Sequence, residues 1–169
     1  MASSSSGYFA IQNLLFWKGR RLVAKIIRPK TIGLEASSVC QLRCPSCPNT
    51  SNAIAPVVGR GFLRLSNFQK LLGENPWIKE IELSNYGEIF LNPDLLEIIK
   101  YAFERNVALT ASNGVNLNRV KTDVLEGLVK YKFRSLGVSL DGASNETYQQ
   151  YRIKGNFDAV IGNIRKINR

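Results

Sequence analysis

The sequence contains no histidine, and only three cysteines among its 169 residues. Without histidine, a nucleophilic cysteine lacks the base that most commonly activates it. A structural zinc site wants four protein ligands, usually cysteine and histidine, so it would have to borrow a carboxylate or a ligand from another subunit. An odd cysteine count without a secretory signal also argues against a disulfide framework. Long apolar runs are missing too. After the polar start "MASSSSG", the stretches "YFAI" and "LLFW" are far too short for a signal-peptide core or a membrane span. A reducing cytoplasm is therefore the expected setting.

Acid is absent from the first 34 residues, which carry Lys18, Arg20, Arg21, Lys25, Arg28 and Lys30 before Glu35 appears. Much of the formal net charge of +10 lies there, and the remainder is closer to balanced. Residues 8–28 space their apolar side chains as a helix does, with bases between them, and Pro29 should end it. This basic amphipathic helix either packs on the domain with a solvated charged face or makes weak, salt-sensitive contact with a polyanion. Residues 1–30 are thus expected to form a tail and helix ahead of a single domain over 31–169.

From Thr31 onward the pattern alternates strand, loop and helix. "TIGLEAS" (31–37), "IKEIELS" (78–84), "VALTAS" (107–112) and "SLGVSLDG" (135–142) read as strands. Ser66 and Gln69 form a capping-box signature for a helix through about residue 73. Asn92, Pro93 and Asp94 open the next, with Leu95, Leu96, Ile98, Ile99, Ala102 and Phe103 on its buried stripe. Val120, Val124, Leu125, Leu128 and Val129 mark a third helix, and a helical stretch follows Ser144. Gly155 and Asn156 break that stretch and cap a last helix with Phe157, Val160, Ile161, Ile164 and Ile167 on one face. The fold class is α/β, with about four parallel βα units forming part of a larger barrel. A complete eight-unit barrel takes roughly 250 residues, so the expectation is a piece of something longer.

In such architectures the chemistry sits at the C-terminal ends of the strands. Here those ends lead into the cysteine loop, "SNYGE" (84–88), "SNG" (112–114) and "SLDG" (139–142). Each pair of Asn-Gly or Asp-Gly residues is also an ordinary turn former. Four polar ends on one side of a sheet, beside every thiol in the chain, make a site.

All three thiols lie in "SSVCQLRCPSCPNT" (37–50), as Cys40, Cys44 and Cys47. Pro45 and Pro48 oppose a regular helix, so a wrapping loop is expected. Gln41, Arg43 and the prolines do not suit a buried core element. Thiolates are the usual protein ligands of iron–sulfur clusters, and three of them leave one iron of a cubane cluster open to a small molecule.

"CQLRCPSC" resembles the cluster loop of the radical S-adenosylmethionine (SAM) superfamily, whose hallmark is C-x3-C-x2-C. "GRGFLRLSNFQKLL" is similar to the approach to that family's first barrel helix. "NYGEIFLNPDL" resembles its "GGEPLLNPDL" stretch, with Tyr86 where the first glycine is common and Ile89 in place of proline. "VSLDGASNETYQQYR" and "GNFDAVIGNI" are similar to strand four and the helix after it, as in the branch that often carries a SPASM or twitch domain. The likeness runs from Thr31 to Arg169. It implies a (β/α)6 partial TIM barrel in which Cys40, Cys44 and Cys47 ligate a [4Fe–4S] cluster whose fourth iron is chelated by SAM.

By the same resemblance, Gly87 and Glu88 contact the SAM amino group, Ser139 and Asp141 lie near the ribose and methionyl end, and Asn113 lies near the cofactor. The implied reaction is reductive cleavage of SAM to a 5′-deoxyadenosyl radical, which takes hydrogen from an unknown substrate such as a peptide or protein. An electron donor such as flavodoxin or ferredoxin is implied as partner, and no further catalytic residue is assigned. The alternative is a non-catalytic iron–sulfur module or an inactive fragment; a zinc-bound interaction domain is a third reading.

Overall fold

A computed structural model describes residues 28–168. The helix expected over 8–28 lies outside the described residues except for Arg28, whose guanidinium sits 5.0 Å from the centre of the Trp77 ring. Four parallel strands lie in chain order: β1 (Thr31–Gly33), β2 (Glu80–Glu82), β3 (Ala108–Val115) and β4 (Ser135–Val138). A parallel neighbour can be reached only by a crossover, and helices supply each one. They are the short α1 (Ala55–Val58), then α2 (Leu65–Glu74), α3 (Leu95–Glu104) and α4 (Thr122–Lys130). After β4 come α5 (Asn145–Tyr151) and α6 (Phe157–Ile167). Among the described residues, no helix is long and apolar enough to cross a membrane.

Side-chain alternation divides the sheet into two unlike faces. Ile81, Leu83, Leu109 and Ala111 are buried in one core with Phe68 and Leu72 of α2, Ile98 and Ile99 of α3, and Leu125 and Leu128 of α4. The opposite parity carries Glu82, Thr110 and Ser135 across neighbouring strands, with Glu82 paired to Thr110 and Thr110 to Ser135. This is an open α/β sheet with helices on its apolar face.

Several boundaries differ from the sequence pattern. The helix α2 begins at Leu65, not after Ser66, and Ser66 does not cap it. Its first N–H is satisfied from a distance, because Leu65 N donates to Asp94 Oδ2 at 3.0 Å. Phe103, expected on a buried stripe, is exposed, and so is Val129 of α4. The strand β3 runs on to Val115, with a register shift between Ala111 and Val115 that puts "SNG" inside the strand. The strand β4 stops at Val138, and Ser139 N still donates to Val115 O at 2.8 Å. "SLDG" is therefore loop. The helix expected after Ser144 begins there, with a capping box between Ser144 and Thr147, and Asn156 caps the last helix as its Oδ1 accepts from Ala159 N.

Asn92 does more than open a helix. Its Oδ1 accepts from Asp94 N at 2.8 Å, while Nδ2 donates to Ala36 O at 2.8 Å and Leu63 O at 2.9 Å. It is buried and ties the start of α3 to the segment after β1 and the approach to α2. Asn92→Ala takes the donor from Leu63 O and one of two donors from Ala36 O, which keeps Leu63 N, and is expected to cost about 2 kcal/mol. A urea midpoint equal to that of the unchanged protein would show that the carbonyls find other partners.

Candidate cluster and cofactor site

The loop that follows β1 is stitched to the ends of β2 and β3 and to the end of α5. At β2, Glu88 N donates to Val39 O at 2.9 Å, and Asn49 Nδ2 donates to Ser38 O and Tyr86 O. Beyond β3, Gln41 Nε2 donates to Asn116 Oδ1 at 2.7 Å. Near the end of α5, Arg43 N donates to Ile153 O at 3.1 Å, and Ser46 Oγ lies 2.6 Å from the Tyr151 hydroxyl. Within the loop, Cys47 N donates to Cys44 O and Thr50 N to Cys47 O, so tight turns present the last two thiols. The prolines fit this irregular path, as expected.

The loop and the strand ends enclose a cavity of about 160 Å³. Seven of the eight residues singled out in the sequence line it: the three cysteines, Gly87, Glu88, Asn113 and Ser139. Asp141 does not. Its carboxylate pairs with Arg152, and Arg152 itself lines the cavity. Asn116 lines it as well. Sequence reasoning assigned neither Arg152 nor Asn116, although Arg152 lies within the quoted "YQQYR".

Close backbone approach shapes one wall. A Cβ on Gly87 would sit 1.9 Å from Ser37 O and 2.8 Å from Val39 N, where no side chain fits. The neighbouring Tyr86 is 45% exposed, so a side chain is tolerated there and only the second glycine position is sterically closed. Both backbone N–H groups donate to the Glu35 carboxylate. Burial raises the pKa of Glu35 above the usual carboxylate range, against the lowering effect of those donors. On the next strand end, Asn113 Nδ2 donates to Ser84 O at 2.7 Å and Asn113 N to Ser84 Oγ at 3.1 Å. Glu82 anchors the same irregular stretch by accepting from Ser84, Thr110 and Ser112.

Glu88 is 2% exposed. Its two carboxylate oxygens accept from Phe90 N at 3.3 Å and Asn116 N at 2.7 Å. Burial dominates, and it pushes the carboxyl up to about 7. Burial likewise pushes the Cys40 thiol up to about 11, with smaller repulsion from Glu88 and the other two cysteines.

The donor set can be tested against a cluster. All three cysteines are free thiols, none in a disulfide. Among the described residues, no three histidine, cysteine, aspartate or glutamate side chains close on a single metal ion. A cluster makes another demand, since each thiolate binds its own iron and the sulfurs must ring a shared volume. Three free thiols around one cavity, with no competing histidine, suit that demand.

Known proteins carry the same pattern. The family model for the radical SAM superfamily matches residues 34–169. The chain is 27% identical over 151 residues to the AdoMet-dependent heme synthase of Methanosarcina barkeri, covering 88% of this chain and 42% of that protein. It is 26% identical over 141 residues to the mycofactocin maturase MftC of Mycobacterium tuberculosis, covering 82% of this chain and 34% of that protein. It thus spans less than half the length of these curated relatives. Among solved structures, Streptococcus suis SuiB bound to S-adenosylmethionine superposes with a TM-score of 0.69 at 18% identity, over 98% of this chain and 38% of that one. That likeness shows a shared fold. The chain belongs to the radical SAM superfamily, whose cofactors are a [4Fe–4S] cluster and S-adenosylmethionine.

Proposed function

We propose that this chain holds the cluster through Cys40, Cys44 and Cys47 and presents SAM to its open iron, within an enzyme that abstracts hydrogen from a peptide or protein. The observation that carries the reading is the convergence of those thiols with Gly87, Glu88, Asn113 and Ser139 on one cavity. When bound, the cluster and SAM together supply reductive cleavage of a sulfonium C–S bond and a 5′-deoxyadenosyl radical. The protein supplies position and exclusion of water. Gly87 lets the second strand end lie flat against the cysteine loop, so that backbone and the Glu88 carboxylate face the cavity. Glu88 is the acceptor for the SAM ammonium, and Asn113 and Ser139 face its nucleoside and methionyl groups.

The choice of a peptide or protein substrate rests on the likeness of residues 138–164 to the SPASM and twitch branch. The two curated relatives bear unlike names, a heme synthase and a mycofactocin maturase, so relatedness alone does not choose. A low-potential donor such as flavodoxin or ferredoxin in a reducing cytoplasm is the proposed electron source. The coverage of less than half of either relative favours one second reading, a cluster-binding portion that cannot turn over alone.

Anaerobic reconstitution followed by electron paramagnetic resonance separates these readings. The expected result is about four irons per chain, as a cubane cluster requires, and a reduced signal that shifts on adding SAM. No iron uptake by the unchanged protein sinks the cluster reading. A signal indifferent to SAM leaves a cluster without a competent pocket.

A further inference from the structure

Two side chains from outside the cysteine loop aim N–H groups at its sulfurs. Arg152 Nη1 lies 3.6 Å from Cys44 Sγ, and Asn116 Nδ2 lies 3.7 Å from Cys40 Sγ. Both are held from behind. Arg152 Nε pairs with the Asp141 carboxylate, which directs one edge of the planar guanidinium and leaves another facing Cys44. Asn116 is fixed by four hydrogen bonds to three residues: its Oδ1 accepts from Gln41 Nε2, Asn118 N and Asn118 Nδ2, and its backbone N donates to Glu88 Oε2. Among the described residues, the hydrogen bonds reach Cys40 and Cys44 in this way and leave Cys47 without a side-chain donor.

Reduction of a cluster adds negative charge that spreads over its sulfurs, and N–H bonds to sulfur favour the reduced form. We propose that Arg152 and Asn116 are positioning residues that donate to the Cys44 and Cys40 sulfurs of the loaded protein and raise its reduction potential, with Asp141 orienting Arg152. The inference rests on the cluster reading above. It also gives Asp141 a task away from SAM, in keeping with its place outside the cavity lining.

The test is a potentiometric titration of the reconstituted full chain without SAM, followed by electron paramagnetic resonance. Arg152→Met, with iron content unchanged, is expected to lose about tenfold in the equilibrium constant for one-electron reduction, equivalent to a midpoint about 59 mV lower. Arg152→Lys keeps the charge without the fork and should recover part of that loss. Asn116→Ala leaves the ion pair intact and should shift the midpoint the same way by a smaller factor.

A loaded Arg152→Met protein with the midpoint of the unchanged protein overturns the inference. If Arg152→Met fails to load, Asn116→Ala decides by the same criterion. Failure of both to load, while circular dichroism shows a folded chain, means these residues retain the cluster and do not tune it; that also overturns the proposal. Failure of the unchanged protein to take up iron overturns the cluster reading itself, so the two failures are distinguishable.

Discussion

Gly87→Ala is expected to destabilise the chain by about 3 kcal/mol or more and to lower its iron content on reconstitution. The added methyl would lie 1.9 Å from Ser37 O and 2.6 Å from Ser37 C. These are backbone atoms, so no rotamer change relieves the overlap. Either the second strand end lifts away from the cysteine loop, or the loop itself moves. Lifting would break the bond from Glu88 N to Val39 O and those from Gly87 N and Tyr86 N to Glu35. Both routes disturb the loop that carries all three thiols, so stability and loading should fall together. Urea unfolding with parallel iron analysis measures both. An unmoved urea midpoint would mean that the two loops slide apart at no cost, and the close approach would lose its assigned role.

The same position shows why the sequence was readable at some points and opaque at others. Local chemistry announced the parallel βα order, because each helix stripe and each polar strand end repeats within a short window. The helix start after Ser144 and the cap at Asn156 were legible because their donors and acceptors lie within three residues. The cap of α2 was not, because Asp94 reaches Leu65 N from the start of another helix and displaces the local Ser66 signature. Alternation extended the fourth strand too far, since a period of two continues through Leu140 and Asp141 after the ladder ends. It stopped the third too soon, because Asn113 and Gly114 read as a turn but sit in an irregular stretch pinned by Glu82 and Ser84.

Seven of the candidate residues converge on the cavity because they lie at strand ends or in the loop after β1. Arg152 and Asn116 escaped because their importance lies in what they face. In "YQQYR", an arginine looks like helical surface until Asp141 and Cys44 are brought beside it. Tyr86 is the opposite case. It departs from the family glycine, yet its side chain has solvent on its open side and the adjacent Gly87 carries the steric constraint.

Glu88→Gln is expected to remove a pH dependence worth about 3 kcal/mol of stability between about pH 4.5 and 7. In the folded chain burial pushes Glu88 up to about 7 from an ordinary 4.5. Between those values the folded state holds the proton while the unfolded state has released it. Stability from this group therefore falls as pH rises through that window and is flat above it. Glutamine cannot ionise, so urea unfolding near pH 5 and pH 8 should differ less in the variant by most of that amount, about 2.5 kcal/mol. The variant is also expected to be less stable overall at low pH, since its amide NH2 must face one of the two N–H donors that Glu88 satisfies.

The same proton governs the proposed acceptance of the SAM ammonium by Glu88. A cation binds the ionised carboxylate, so SAM affinity should weaken by up to tenfold for each pH unit below about 7. The Glu88→Gln protein should bind more weakly at neutral pH and show none of this slope. Titrating the cluster signal with SAM at several pH values reads the effect directly. Parallel slopes in the two proteins would remove Glu88 from the SAM ammonium while leaving the cluster ligands untouched.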